Sequence, residues 1–188
     1  MKGTKTEKNL LAAFAGESQA RNRYNFFASQ AKKDGYVQIS AIFDETALNE
    51  KEHAKLFFKL LEGGEVQITA LYPAGKIGNT LSNLEAAADG EKAEWGTIYP
   101  DFARTAREEG FSEVARVFEE VAKVEAYHER RYRKLAANVK EGRVFKRSEP
   151  VKWKCSNCGY VFEGRDAPQT CPACAHPRDY YELWVEAY

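Results

Sequence analysis

Four stretches of the chain carry hydrophobic residues at the three- and four-residue spacing of an amphipathic α-helix. In the first stretch, for example, Leu10, Phe14 and Tyr24 recur at this spacing. Each stretch is followed by a glycine that comes after an acidic residue or after another glycine, which is typical of a helix C-terminus. The pattern therefore predicts long helices over residues 4–33, 37–62, 80–109 and 112–140.

The connection between the second and third predicted helices is long. Residues 65–79 contain the sequence Tyr72-Pro73-Ala74-Gly75, which favours an irregular crossover over a tight turn. Four long helices with one long middle connection predict a mainly α protein built as a ferritin-like four-helix bundle.

The pattern changes after residue 140. A polar and basic linker runs to Pro150, and six aromatic residues then surround two cysteine pairs in a short, non-helical pattern. Such a small segment cannot be held together by apolar burial alone and needs a metal. We therefore expect a helical bundle over residues 1–146 and a small metal-binding domain of short β-strands and knuckles over residues 147–188.

The first helical pair is repeated by the second. Tyr24 corresponds to Tyr99, a shift of 75 positions, and the same shift aligns a glycine turn, a core stripe and two candidate ligands. Further pairs at this shift are Phe27 and Phe102, Ala28 and Ala103, Gly35 and Gly110, Phe43 and Phe118, Ala47 and Ala122, Glu50 and Glu125, and His53 and His128. We predict a bundle with pseudo-two-fold symmetry.

The register of the repeat breaks once. Gly16-Glu17 matches Gly90-Glu91 with a shift of 74, so one additional residue lies between Glu91 and Tyr99. A regular helix would carry Tyr99 onto a different face from its counterpart. A π-bulge absorbs a single inserted residue, often at a functional site, and we predict one between Glu91 and Tyr99.

Each half of the repeat contains one Glu-x-x-His motif, Glu50 to His53 and Glu125 to His128. A carboxylate and an imidazole three residues apart lie on one helix face and can bind one metal ion. Two facing helices of this kind, with two further carboxylates, predict a two-metal site. The repeat supplies Glu17 and Glu91 as these carboxylates, while Glu94 adds one that has only Ala20 as its counterpart.

Two alternatives remain for these bundle residues. Most helical glutamates form salt bridges at the surface, but buried carboxylates among Phe, Ile and Ala cannot stay charged without cations, which favours the metal site. Tyr24 and Tyr99 are candidates for donating hydrogen bonds to the ligand carboxylates. They can equally be ordinary core tyrosines.

Two Cys-x-x-Cys pairs, Cys155 with Cys158 and Cys171 with Cys174, are separated by twelve residues. This spacing predicts a tetrahedral four-thiolate site. Softness and geometry do not distinguish iron from zinc, so a structural zinc ribbon remains open. His176 has no place among four thiolates, and we expect it to be a polar loop residue.

Composition limits the classes of partner and the cellular compartment that we expect. The formal net charge is zero, which argues against nucleic-acid binding. The sequence has no 18-residue apolar run and no apolar segment after Met1, so we expect neither a transmembrane helix nor a secretory signal. All four cysteines fall in the two closely spaced pairs, which favours a metal site in a reducing compartment. We expect a cytoplasmic protein.

Over nearly the whole chain, these motifs resemble the rubrerythrin family. The resemblance implies a non-haem di-iron site in the bundle and one iron bound by four cysteines. The di-iron ligands it implies are Glu17, Glu50, His53, Glu91, Glu94, Glu125 and His128, and the single-iron ligands are Cys155, Cys158, Cys171 and Cys174. It also implies that one iron exchanges Glu94 for His53 on reduction, while His128 stays bound.

The resemblance implies a peroxidase that reduces hydrogen peroxide to water in an anaerobe or microaerophile. Two ferrous ions can deliver two electrons to a peroxide, and a thiolate-bound iron can return electrons one at a time. Rubredoxin or an NAD(P)H-dependent reductase would be the donor. His128 lies about 20 Å before the end of its helix, so a head-to-tail homodimer is expected to shorten the electron path.

Two other functions fit the residues. One is a ferroxidase or iron-sequestering bundle that oxidises ferrous iron. The other is a non-enzymatic metal-binding module with a structural zinc ribbon. Electron delivery through the cysteine site distinguishes the peroxidase from the first, and the metal in that site distinguishes it from the second.

Overall fold

The structure is a computed structural model that describes residues 1–186. Its helices and strands follow the predicted order, a helical bundle and then a small sheet. The helices are α1 (Lys5–Lys33), α2 (Val37–Lys59), α3 (Thr80–Ala93), α4 (Tyr99–Glu108) and α5 (Ser112–Lys140). The strands are β1 (Lys146–Cys155), β2 (Val161–Asp166) and β3 (Tyr181–Leu183), with a 3-10 turn over Arg178–Tyr180. The prediction of a mainly α, ferritin-like protein is confirmed.

The third bundle helix contains the predicted π-bulge. A π-helical segment, Glu94–Ile98, joins α3 to α4, and the Tyr99 N–H donates to Glu94 O, five residues earlier. The additional residue is therefore absorbed between Glu91 and Tyr99. As a result, Glu91 and Tyr99 are both buried, like their counterparts Glu17 and Tyr24.

The second helix is three residues shorter than predicted. It ends at Lys59, because the N–H groups of Leu60 and Leu61 donate to carbonyls three residues back and close a tighter final turn. Gly63 and Gly64 then adopt positive φ angles of 75° and 95°. The glycines thus mark the chain reversal, while regular helix ends before them.

The two halves of the bundle bond to each other's helix N-termini. Asp34, at the end of α1, accepts hydrogen bonds from Thr80 N and Thr80 Oγ1 at the start of α3, at 2.8 and 2.6 Å. Glu109, after α4, accepts from Thr6 N and Thr6 Oγ1 at 2.8 and 2.7 Å. Each carboxylate satisfies N–H groups that the helix itself leaves without partners.

Two aromatic clusters form the core on either side of the bundle's polar centre. We call them the Tyr24 cluster and the Tyr99 cluster. The Tyr24 cluster contains Tyr24, Phe27, Phe43 and Tyr132, and the Tyr99 cluster contains Tyr99, Phe102, Phe118 and Phe57. The members correspond pair by pair in the repeat, and only Tyr132 and Phe57 differ in chemistry.

The small C-terminal unit is a three-stranded antiparallel sheet in the order β2-β1-β3. Trp153 on the central strand is fully buried and packs with Cys155, Cys171 and Tyr181. Phe145, the residue before β1, packs against this cluster and also stacks on Tyr36 in the turn between α1 and α2, with ring centroids 6.0 Å apart. The predicted boundary at residue 146/147 stays a prediction, and residues 187 and 188 of the predicted domain lie outside the described part.

Candidate metal centres

The polar centre of the bundle is a set of carboxylates and imidazoles buried between the aromatic clusters. Each member of the set is at most 7% exposed. The ligand atoms of four residues lie within 4.8 Å of one another in a first group, Glu17, Glu50, His53 and Glu125, and in a second group, Glu50, Glu91, Glu125 and His128. Every bundle helix except α4 contributes to these groups.

Glu50 and Glu125 belong to both groups. His53 Nδ1 lies 2.9 Å from Glu50 Oε2 and 2.9 Å from Glu125 Oε1. On the other side, His128 Nδ1 lies 2.8 Å from Glu125 Oε2 and 3.2 Å from Glu50 Oε1. The two carboxylates therefore stand between two positions, each of which also has one histidine and one further glutamate.

Tyrosine hydroxyls orient the two outer carboxylates. The Tyr24 hydroxyl donates to Glu91 Oε1 at 2.5 Å, and the Tyr99 hydroxyl donates to Glu17 Oε1. Each tyrosine comes from the opposite half of the repeat to the carboxylate that it contacts. One oxygen of each carboxylate is thereby fixed, and the other remains available to a metal ion.

The free oxygens fit metal binding. Glu17 Oε2, Glu91 Oε2, Glu50 Oε1 and both oxygens of Glu125 are buried without a hydrogen-bond partner among residues 1–186. Buried polar atoms are normally paired, and unpaired buried carboxylates are costly. Carboxylates and imidazoles are the donors that non-haem iron takes in such bundles, so these residues fit a di-iron site.

The pKa values of the buried glutamates and histidines also reflect the excess of carboxylates in this centre. Burial raises the pKa of Glu17 well above its ordinary value, and repulsion from Glu125 and Glu50 adds to the effect. Burial likewise raises the pKa of Glu91 to about 8. Burial alone would lower the pKa of His128, but the nearby carboxylates of Glu125, Glu50 and Glu91 outweigh it and raise the pKa to about 12. Without metal ions, the centre thus needs protons to supply the positive charge that bound cations would otherwise provide.

Glu94 lies apart from the other six predicted bundle ligands and, within the described chain, belongs to neither group. It is partly buried on the π-helical segment and lines a cavity of about 90 Å³, together with Arg23, Gly90 and Tyr99. His53 occupies the first group instead. The sequence places Glu94 three residues after Glu91, on the same helix face, but could not give its position relative to the cluster.

The four cysteines converge at the edge of the small sheet. Cys155 Sγ lies 3.8 Å from Cys174 Sγ, and Cys158 Sγ lies 3.6 Å from Cys171 Sγ. With a metal–sulfur bond of about 2.3 Å, a tetrahedral site has sulfurs about 3.8 Å apart, so the four thiolates fit one metal ion. His176 bonds to Asn157 and to Cys174 O, as expected for a polar loop residue.

The two cysteine loops share one backbone pattern. Gly159 N donates to Cys155 O at 2.8 Å, and Ala175 N donates to Cys171 O at 2.9 Å. Both donors have positive φ angles, 81° for Gly159 and 58° for Ala175. Alanine rarely adopts this conformation, so the second loop carries backbone strain that the first avoids.

Comparison with known proteins shows which family the chain resembles. The profile of the family described as "Rubrerythrin" matches residues 8–136, and that described as "Rubrerythrin, rubredoxin-like domain" matches residues 153–182. The chain is 63% identical to the rubrerythrin of Porphyromonas gingivalis, over 97% of this chain and 91% of that protein. It is 61% identical to the rubrerythrin of Nitratidesulfovibrio vulgaris, over 97% and 96%. The structure titled "Partially Reduced State of Nigerythrin" has a TM-score of 0.64 and 31% identity, covering 98% of this chain and 91% of that one.

A ferritin-like bundle with a Glu/His cluster for a di-iron site and a rubredoxin-like unit with four cysteine ligands defines this class of iron protein. The chain belongs to the rubrerythrin family. Membership implies an oxidoreductase. Among the described helices, none combines the length and the apolar character needed to cross a membrane.

Proposed function

We propose that the protein is a non-haem di-iron peroxidase that reduces hydrogen peroxide to water in defence against oxidative stress. The observation that carries this proposal is a buried two-position cluster and a four-thiolate site in one chain. Reduction of one peroxide to two waters takes two electrons and two protons. Two ferrous ions in the bundle would supply both electrons, and the thiolate-bound iron would replace them.

The proposed di-iron ligands are Glu17, Glu50, His53, Glu91, Glu94, Glu125 and His128. The position shared by Glu50 and Glu125 supports a role for both as ligands common to the two irons. His128 would stay bound throughout. His53 would alternate with Glu94, since His53 occupies the first group while Glu94 lines the neighbouring cavity.

Tyr24 and Tyr99 are proposed to hold the outer carboxylates and to keep a proton beside the reacting atoms. Burial raises the pKa of both hydroxyls well above the ordinary value, so each remains a donor at neutral pH. Their aromatic clusters also exclude bulk water from the centre. Electrostatic interactions are stronger in such a dry site.

Electrons are proposed to enter through Cys155, Cys158, Cys171 and Cys174 from rubredoxin or an NAD(P)H-dependent reductase. The thiolates need a reducing compartment, which supports a cytoplasmic location. The domain division at residue 146/147 is part of this proposal, because it separates the electron-accepting unit from the bundle.

The electron path supports a head-to-tail homodimer. The small unit contacts its own bundle at Tyr36, at the start of α2. Glu50 lies fourteen residues further along this helix, which is about 21 Å at 1.5 Å per residue. A second subunit could bring its four-thiolate site nearer to this cluster than the chain's own.

Loss of the four-thiolate site, which we call the tail site, tests the relay of electrons to the bundle. In Cys158→Ser and Cys174→Ser variants, we expect the pre-reduced bundle to consume one equivalent of peroxide at the wild-type rate. Turnover with a reductase should fall at least about a hundredfold, because re-reduction is interrupted. Unchanged turnover would refute the relay, because electrons would then reach the bundle without the four-thiolate site.

A mixed dimer tests the arrangement of subunits. Cys158→Ser removes the tail site, and Glu125→Ala disables the bundle site. Co-expression of the two inactive chains in a head-to-tail dimer should restore about a quarter of wild-type turnover per bundle, since half of the dimers are mixed and each has one complete path. No recovery in isolated mixed dimers would refute the head-to-tail relay.

A further inference from the structure

The π-helical segment Glu94–Ile98 has few contacts of its own that fix its position. None of its five residues is fully buried, and Gly96 at its centre adds backbone freedom. π-Helical turns are rare and occur mainly as single turns inside α-helices. Contacts with the neighbouring helices therefore decide where this turn lies.

One hydrogen bond connects the segment to α5. The indole N–H of Trp95 donates to Glu129 Oε2 at 2.8 Å. Within the described residues, it is the one side-chain hydrogen bond that positions 94–98 make. Its acceptor is a carboxylate whose side chain is only 16% exposed, and hydrogen bonds to charged acceptors are the stronger kind.

The acceptor is itself fixed by a second pair of contacts. Arg133 Nε donates to Glu129 Oε1 at 3.2 Å, and Arg133 Nη2 donates to Asp89 Oδ1 at 2.7 Å. Asp89 lies on α3, five residues before the π-helical segment begins. Side chains of α5 thus hold the third bundle helix at two points, one before the segment and one within it.

The first half of the repeat has neither this hydrogen bond nor the bulge. At the shift of 75, Glu129 and Arg133 correspond to Ala54 and Phe58, whose side chains cannot accept or donate a hydrogen bond. The helix that corresponds to the interrupted one, α1, is a continuous α-helix. The bulge and its hydrogen bond to α5 therefore occur together, in the half that carries the additional carboxylate Glu94.

The hydrogen bond joins the neighbours of two proposed ligands. Trp95 follows Glu94 in the chain, and Glu129 follows His128. The Glu94 carbonyl also accepts the Tyr99 N–H in the bond that closes the π-helical turn. Because side-chain direction follows from backbone geometry, fixing Trp95 fixes the direction in which the Glu94 side chain leaves the helix. In this arrangement Glu94 lines the cavity and lies outside both ligand groups.

We propose that Trp95 is a positioning residue, whose hydrogen bond to Glu129 holds the π-helical segment in the arrangement that keeps Glu94 in the cavity. His53 then occupies the first ligand group. When the bond opens, the segment can turn and bring Glu94 to the cluster. The inference rests on the proposed function, because it takes Glu94 to be a ligand in one state of the site.

The test compares Trp95→Phe, Glu129→Ala and the variant with both changes to wild type. Trp95→Phe removes the N–H donor and keeps an aromatic ring. The control is Arg104→Gln, which breaks an exposed ion pair with Asp101 at 2.7 Å on α4. This control removes a surface contact from the same bundle helix without touching the π-helical segment.

Three measurements separate positioning from mere stabilisation. Hydrogen exchange over residues 94–99 of the metal-free protein reports the opening of the π-helical turn. Crystal structures of the iron-loaded, dithionite-reduced proteins report whether Glu94 or His53 occupies the cluster. Potentiometry gives the midpoint potentials of the bundle irons and of the thiolate iron, which serves as an internal control.

In both single variants, exchange over residues 94–99 should be about fivefold faster or more, because the segment loses its bond to α5. The ratio of Glu94 in the cluster to Glu94 in the cavity should rise at least about fivefold. The potential of the bundle irons should fall, since an additional anionic ligand stabilises the ferric state, while that of the thiolate iron stays unchanged. The double variant should match the single variants, because each change removes the same hydrogen bond. Arg104→Gln should match wild type.

A lower Tm in both single variants, with Glu94 still in the cavity and an unchanged bundle potential, would overturn the inference, since the bond would then only stabilise the fold. Additive effects in the double variant would overturn it as well. Should Trp95→Phe fail to fold, Glu129→Ala decides by the same measurements.

A Glu94→Ala variant separates this failure from failure of the proposed function. If its iron coordination and its rate with peroxide match wild type, Glu94 is not a ligand, and both the ligand set and the inference fall. If Glu94→Ala alters the iron site while the Trp95 and Glu129 variants leave Glu94 in place, the inference alone fails.

Discussion

Replacing Tyr132 with phenylalanine should stabilise the bundle. The Tyr132 side chain is fully buried, and its hydroxyl has no hydrogen-bond partner within residues 1–186. Its neighbour Thr46 already donates to Ile42 O at 3.0 Å and accepts from Arg131 at 2.6 Å. An unsatisfied buried hydroxyl costs roughly 1–3 kcal/mol. Because Thr46 has one lone pair left that can weakly offset this cost, we expect a gain of about 1 kcal/mol.

The internal repeat supplies the matched control, Phe57→Tyr. Phe57 is the counterpart of Tyr132, fully buried, with its ring centroid 5.7 Å from that of Tyr99. The added hydroxyl should destabilise the bundle by about 1–3 kcal/mol. At this chain length, 1 kcal/mol corresponds to a Tm shift of roughly 2–4 °C, which calorimetry on proteins of equal iron content can resolve. A lower Tm for Tyr132→Phe would refute the reasoning and show that the hydroxyl has a partner.

Three further predictions concern stability. Asp34→Ala should cost about 1 kcal/mol in urea unfolding, because Thr80 N and Oγ1 lose their acceptor, and an unchanged midpoint would contradict the cross-capping. In the tail, Ala175→Gly should slow iron loss to a chelator and Gly159→Ala should speed it, since both positions have positive φ; equal rates would deny the strain. In metal-free protein, the pKa of Glu91 is raised to about 8 and that of His53 to about 10. The stability that these shifts provide is fully present below the ordinary pKa values of the two groups and is lost as the pH rises through the raised values. The Tm difference between iron-loaded and metal-free protein should therefore widen between pH 5 and 9, whereas a constant difference would contradict these shifts.

The helical pattern and the repeat predicted most of the fold. Hydrophobic spacing located the helices, and the single break in register located the π-helical segment, because an inserted residue must be absorbed somewhere for both halves to face one centre. The end of α2 was wrong by three residues, since glycine signals a chain reversal without fixing where the last regular hydrogen bond lies.

The site could be predicted as a set of residues but not as an arrangement. Spacing along a helix gives the face on which a side chain lies, and it gives neither its depth nor its partner across the bundle. The sharing of Glu50 and Glu125, and the position of Glu94 beside the cavity, therefore required the structure.

The central claim is that the bundle reacts with hydrogen peroxide and the tail replaces its electrons. Anaerobic stopped-flow mixing of the fully reduced protein with hydrogen peroxide, following the absorbance of both iron centres, tests it most directly. We predict that peroxide oxidises the bundle irons faster than air-saturated buffer does, and that the thiolate iron is oxidised afterwards as its electron passes to the bundle. Oxidation by peroxide that is no faster than oxidation by air, at either centre, would contradict the account.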